Sequence, residues 1–221
     1  MNATGEGRRA VVFDLDGTLV DSMPLVLRGY AHALAPYRAP LDEAEILARL
    51  GGPPERFFQE LLPSDALAAA ALARLEEFFR TREDLVRPFA GAAELLDALR
   101  AAGAKIGVWT GRERRSAERI LRAHNLAERI DAVVYGDDLP THKPDPEGLD
   151  TVLGWLGVAA PAALFTGDAD VDVLAGAALG VRTVLIGHGR AVNPAVRAKA
   201  WRIAETPAEA YAVLRAMPGR E

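Results

Sequence analysis

Ala10-Val11-Val12-Phe13-Asp14-Leu15-Asp16-Gly17-Thr18-Leu19-Val20-Asp21-Ser22 carries more information than any other part of this 221-residue chain. Its first four residues form a short apolar run, the pattern of a buried strand. Two carboxylates, Asp14 and Asp16, follow at the strand's carboxyl end, where open α/β sheets place their ligands. Gly17 permits a sharp turn without steric penalty, so both acids can point into one small volume. Like charges that close repel unless a cation or a shared proton relieves them. Mg²⁺ is the natural partner, because it prefers oxygen ligands and binds through one or two carboxylates plus a substrate phosphate. A bare Asp-x-Asp fits a capped turn as well, with either carboxylate bonding the start of the next helix.

Composition narrows the classes. The length suits one large domain or a domain with an insertion, and half the residues are hydrophobic. Residues 1–9 are polar and Gly-rich with no apolar core, which is not a signal-peptide pattern. Apolar stretches such as Ala66 to Ala73 are too short to cross a bilayer. The chain has no cysteine, which removes disulfides, thiolate metal sites and cysteine nucleophiles, and makes a reducing cytoplasm the expected compartment. A formal charge of −5 argues against nucleic acid and anionic membrane as partners. A phosphate would have to be held by local cations, and the only lysines are Lys105, Lys143 and Lys199.

From about Arg87 onward, helix and strand patterns alternate. Helices are expected over 92–102, 112–124, 146–156, 170–179 and 208–217, and strands over 105–109, 131–135, 162–166, 181–186 and 201–203. That rhythm predicts an α/β fold, a doubly wound, parallel, Rossmann-like sheet to which residues 11–13 also belong. Between them, residues 20–86 carry no strand pattern and read as four helices, with Asp42 and Ser64 as N-caps and Pro40, Gly51-Gly52 and Pro63 as punctuation. The expected organisation is therefore an α/β core (1–19 and 87–221) with an inserted helical cap or lid (20–86).

Other strand ends are also rich in chemistry. Thr110 follows Val108-Trp109 and precedes Gly111-Arg112; its hydroxyl and the following backbone N–H groups could bind a phosphate oxygen, or Thr110 could simply cap the next helix. Pro144 keeps Lys143 out of the helical region, in an extended loop that can aim an ammonium at a phosphate or leave it in solvent. Gly167-Asp168-Ala169-Asp170-Val171-Asp172 places three acids in five residues where a strand gives way to a helix. Dipole compensation would account for such acids at about 0.3–1 kcal/mol each. Yet Asp14, Thr110 and Asp168 each stand at the end of an apolar strand, and in a parallel sheet those ends share one rim.

These four segments, in this order, resemble the four motifs of the haloacid dehalogenase (HAD) superfamily of phosphohydrolases, from Ala10 to about Gly189. The resemblance implies that Asp14 is a nucleophile forming an aspartyl-phosphate and that Asp16 is the general acid and then base. It implies that Thr110, Gly111 and Lys143 hold the phosphoryl group. It further implies that Mg²⁺ is bound by Asp14, Asp168 and the backbone carbonyl of Asp16, with Asp172 supporting the metal or Lys143. Two positions depart from the family pattern: Ala169 stands where Ser or Thr is usual, with Asp170 a candidate to replace the lost hydrogen bond, and Gly111 where Asn is common.

Within that superfamily, Asp16 argues against a dehalogenase, and a lid without lysine argues against a Schiff-base phosphonate hydrolase. Met23-Pro24-Leu25-Val26 lacks the histidine of β-phosphoglucomutase-like mutases. The closest texture is phosphoglycolate phosphatase-like, which implies a small phosphorylated metabolite as substrate. Nucleotidases, sugar-phosphate phosphatases or phosphomutases, and pyrophosphatases are the alternatives. Arg49 and Arg56, flanking Gly51-Gly52, are expected to read a second anionic group, or else to be exposed helix arginines. A phospho-accepting receiver module and a catalytically silent metabolite-binding relative are the readings from other classes. The four histidines show no metal-ligand spacing and are read as structural, with His142 alone near the site; Trp155 and Trp201 are read as core or subunit contacts.

Overall fold

A computed structural model describes residues 9–50 and 53–216. The Gly51-Gly52 turn and the expected end of the last helix at Met217 lie outside the described residues. The chain divides into two compact units, one built from residues up to Asp21 together with Pro88 onward, the other from Ser22–Arg87.

The first unit opens with β1 (Arg9–Phe13) and the two-residue β2 (Val20–Asp21). The second holds α1 (Met23–Leu34), α2 (Glu43–Leu47), α3 (Pro54–Leu61) and α4 (Asp65–Thr81). The chain returns through β3 (Arg87–Pro88), α5 (Ala92–Ala101), β4 (Ala104–Trp109), α6 (Arg114–Ala123), β5 (Ala132–Val134) and α7 (Glu147–Leu156). It closes with β6 (Ala163–Gly167), α8 (Asp170–Leu179), β7 (Arg182–Ile186), α9 (Pro194–Arg197), β8 (Arg202–Ala204) and α10 (Pro207–Arg215).

Six strands form one parallel sheet in the order β5-β4-β1-β6-β7-β8. The β1 strand is central, with Val11 opposite both Ile106 and Leu164. Chain order runs outward from β1 on one side and then restarts at β6 on the other, so the carboxyl ends of β1, β4 and β6 flank the point where ligands bind in such sheets. Val12, Phe13 and Phe165 are fully buried. A parallel sheet covered on both faces needs strands that are apolar throughout, hence the unbroken runs rather than alternation. Each of these side chains contributes roughly 1.5–3 kcal/mol through burial.

The helical unit has its own core: Tyr30, Ile46, Phe57, Phe58 and Leu75 are buried in one cluster. Asp42 caps α2 as expected, in a box where its carboxylate accepts from Glu45 N–H and Glu45 answers to Asp42 N–H. Ser64 caps α4. One expectation fails within residues 20–86. Val20–Asp21 is a strand, paired with β3 as a two-stranded ribbon at the two chain crossings. Two residues are too few to leave a periodicity in the sequence.

Candidate active site

Asp14 follows β1 directly, its N–H donating to the Thr166 carbonyl at 2.8 Å, so the sheet's own hydrogen bonding fixes the start of the loop. The backbone then turns at Gly17, whose φ of +72° favours glycine. A Cβ there would also collide with the carboxylate of Asp168. A similar close approach holds at Gly167, where a side chain would run into Asp172. Gly17 thus lets the β1 loop stand against the segment after β6, and Gly167 lets that segment fold close on its own Asp172.

Carboxylate oxygens of Asp14, Asp168 and Asp172 lie within 4.8 Å of one another. Lys143 enters between them: its Nζ is 2.7 Å from Asp14 Oδ1 and 2.8 Å from Asp172 Oδ1. The ammonium also lies 4.9 Å from the ring centre of Trp109 and 5.4 Å from that of Phe165. Lys143 is thus no solvated surface lysine; its side chain is 11 % exposed. Burial pushes the Asp14 carboxyl up to about 8, with Lys143 pulling it back and Asp172 and Asp168 pushing it further. Burial, then Asp172, raise Asp168 to about 6, against the pull of His188 and Lys143. For Lys143 burial acts downward, yet Asp14 and Asp172 prevail and hold it above its ordinary value. Three acids against one ammonium leave surplus negative charge in a buried space, made of the oxygen donors a hard divalent cation prefers.

Thr110 is buried and its Oγ1 accepts from Arg112 N–H at 3.1 Å. It does not cap the helix, because α6 starts at Arg114 with Glu113 in the capping position. Thr110, Gly111, His142 and Lys143 line a cavity of about 290 Å³ together with Tyr135 and Leu139.

Asp16 departs most from expectation. Its carboxylate is not part of the acidic cluster among the described residues. Both its oxygens are engaged by Arg112, at 2.9 Å to Nε and 2.5 Å to Nη2. Asp172 takes the third place in the cluster; its Oδ2 also accepts from Ala169 N–H at 3.0 Å. Asp170 does not stand in for the missing Ser or Thr at 169, but pairs with Arg190 at 2.7 Å. The same guanidinium donates to the Asp168 carbonyl at 3.0 Å. His188 Nε2 lies 2.7 Å from the Gly17 carbonyl oxygen, so His142 is not the only histidine at the rim.

The sequence reading gave Arg112 and Arg190 no role and His188 only a structural one, although a signal for each was present. Arg112 stands two residues past Thr110 as Asp16 stands two past Asp14, and His188-Gly189-Arg190 follows the end of a fourth strand. In the helical unit, Arg56 pairs with Glu60 at 2.8 Å and Arg49 donates to the Glu45 carbonyl at 2.7 Å. Trp155 is no core residue, being 59 % exposed, and Trp201 is flanked by the guanidinium groups of Arg182 and Arg202.

A parallel sheet whose neighbouring strand ends gather a carboxylate cluster around a buried lysine matches one family over most of the chain. The haloacid dehalogenase-like hydrolase profile aligns with residues 11–186, and the chain belongs to that family. A phosphoglycolate phosphatase from Rhodospirillum rubrum is 37% identical over 84% of this chain and 82% of its own. Pyrophosphatase PpaX from Halalkalibacterium halodurans is 29% identical over 80% and 83%. Among solved structures, a HAD-superfamily hydrolase from Geobacter sulfurreducens superposes with a TM-score of 0.76 at 26% identity, covering 97% of this chain and 100% of that one.

Proposed function

We propose that this chain is a phosphatase that hydrolyses a small phosphorylated metabolite of the phosphoglycolate type through an aspartyl-phosphate on Asp14. The observation that carries the reading is Lys143 lodged between Asp14 and Asp172 at the sheet's rim. The similarity to phosphoglycolate phosphatases supports the substrate class. A chain without cysteine suits a reducing cytoplasm.

The cluster's oxygen donors and surplus negative charge fit Mg²⁺, which Asp14, Asp168 and the backbone carbonyl of Asp16 would hold. When bound, it offsets charge on the phosphoryl group and lowers the proton affinity of Asp14. Asp14 Oδ attacks phosphorus while the bond to the ester oxygen breaks. Asp16 gives that oxygen its proton, and then takes one from the water that releases inorganic phosphate. Lys143 and the Thr110 hydroxyl hold the transferring group's oxygens, and Asp172 keeps the Lys143 ammonium in place. In phosphoryl transfer, positioning and electrostatics supply nearly all the catalysis, which is why so few side chains suffice.

The test is Mg²⁺-dependent phosphate release from p-nitrophenyl phosphate and then from a panel containing phosphoglycolate, nucleoside monophosphates, sugar phosphates and pyrophosphate. Asp14→Asn is expected to lower turnover by at least about a thousandfold on every substrate. Activity that survives this change removes Asp14 as nucleophile. The same panel separates phosphoglycolate from pyrophosphate, the reading that the PpaX relatives support.

A further inference from the structure

To protonate a leaving group, Asp16 must turn an oxygen toward the ester oxygen, and in this structure Arg112 engages both of its oxygens. Both face the planar fork of Arg112, one of the strongest arrangements a carboxylate enters. We propose that Arg112 is a substrate-specificity residue: it holds Asp16 aside in the resting enzyme, and a second anionic group on the substrate takes Asp16's place on the guanidinium. This inference rests on the phosphatase reading and deepens it, since it names what the substrate must carry besides the phosphoryl group.

Several features support an exchange rather than a permanent structural pair. The Arg112 backbone is tied down on both sides, its N–H donating to Thr110 Oγ1 at 3.1 Å and its carbonyl accepting from Gly136 N–H at 2.9 Å. The guanidinium can therefore change partner by side-chain rotation alone. Its Nη1 also rests on Ser116 Oγ at 3.1 Å, which steadies the fork from the α6 side. The Asp16 side chain is 32 % exposed, so an anion from solvent can reach the pair.

The other cations of the rim are less suited. Lys143 already spans two buried carboxylates and is assigned to the phosphoryl oxygens. Arg190 is held by Asp170 and by the Asp168 carbonyl. Arg114 pairs with Asp138 at 2.5 Å and covers the Tyr135 ring. Arg112 alone among these four engages both oxygens of the side chain that must reach the leaving group. A guanidinium fork also matches a carboxylate or a second phosphoryl group bidentately, which an ammonium does not. Substrates lacking such a group would leave Asp16 locked and turn over poorly.

The experiment compares phosphoglycolate with 2-hydroxyethyl phosphate, which replaces the carboxylate by an uncharged group of similar size. In Arg112→Ala the preference for phosphoglycolate, taken as the ratio of the two kcat/KM values, is expected to fall about 30- to 1,000-fold, chiefly through KM. Arg112→Lys retains the charge without the fork and is expected to recover only part of that preference. Equal losses on both substrates, with KM unchanged, would mean that Arg112 only positions Asp16, and would overturn the proposal. So would a selective loss in Arg49→Ala or Arg56→Ala with an even loss in Arg112→Ala, because the anion would then be read from the helical unit. Wild-type protein that hydrolyses neither ester nor p-nitrophenyl phosphate defeats the phosphatase reading itself, whereas turnover of both esters with an unselective Arg112→Ala defeats this inference alone. Circular dichroism of Arg112→Lys confirms that the comparison concerns folded protein.

Discussion

Asp168 and Asp172 stand four residues apart where β6 gives way to α8, yet their surroundings divide their labour. Asp172 has Lys143 against one oxygen and the Ala169 N–H against the other, so its charge is compensated by the protein. Asp168 has no ion pair among the described residues, and burial raises its carboxyl to about 6. An acid whose folded value is raised favours the fold in its protonated form. Its contribution is present at low pH and fades as pH climbs from the unfolded value near 4 through 6, so at pH 7.5 the ionised side chain weighs against stability. Asp168→Asn is therefore expected to melt roughly 2–4 °C above the wild type in EDTA, about 1 kcal/mol for a domain of this size. The same variant should gain less from added Mg²⁺, because the ligand that binds the native state has lost an anchor. Differential scanning fluorimetry with and without the cation checks both; a lower melting point in EDTA would contradict the assignment. The cost is of the kind active sites commonly impose on stability.

Elements hold the rim through contacts made far along the chain. The final helix α10 buries Tyr211 to 1 % exposure and directs its hydroxyl to the Thr18 carbonyl at 2.6 Å. A residue from the end of the fold thus braces the loop that carries Asp14 and Asp16. Burial keeps the Tyr211 phenol above its ordinary value near 10. For a group raised in this way the stabilisation is complete below pH 10 and is lost as pH rises beyond it, since the buried ring resists ionising and the unfolded chain does not. Tyr211→Phe should cost about 1–3 kcal/mol at pH 7, largely by stranding a buried acceptor. The gap between variant and wild type should narrow above pH 10 in thermal melts. A gap constant from pH 7 to 11 would show that the hydroxyl is not what matters.

At the scale of the whole molecule, two separate cores predict separable stability. Phe58 is fully buried in the helical unit's cluster, against the rings of Tyr30 and Phe57. Phe58→Ala should remove about 3–5 kcal/mol, and hydrogen exchange should show the loss within 22–87 while amides of β1 and β6 keep their protection. Equal loss in both units would make the chain one cooperative body.

Much of this architecture was legible because strand and helix patterns are local. The apolar runs at 10–13 and 163–166, the caps at Asp42 and Ser64, and the glycine at 17 each follow from a few neighbouring residues and their backbone preferences. The identities of Asp14, Thr110, Lys143 and Asp168 were legible too, since each falls at or just beyond a strand end, or beside a proline that constrains it. Partner choice was not. Arg112 on Asp16, Arg190 on Asp170, and Asp172 rather than Asp16 beside Asp14 depend on which loops the sheet order brings together. The strand order β4-β1-β6 puts residues about a hundred positions apart within hydrogen-bond reach, and side-chain charges then settle into whichever pairs burial and geometry leave them. Residue types and turns fixed what chemistry was on offer; only packing in three dimensions decided which acid was left with a cation, and which without.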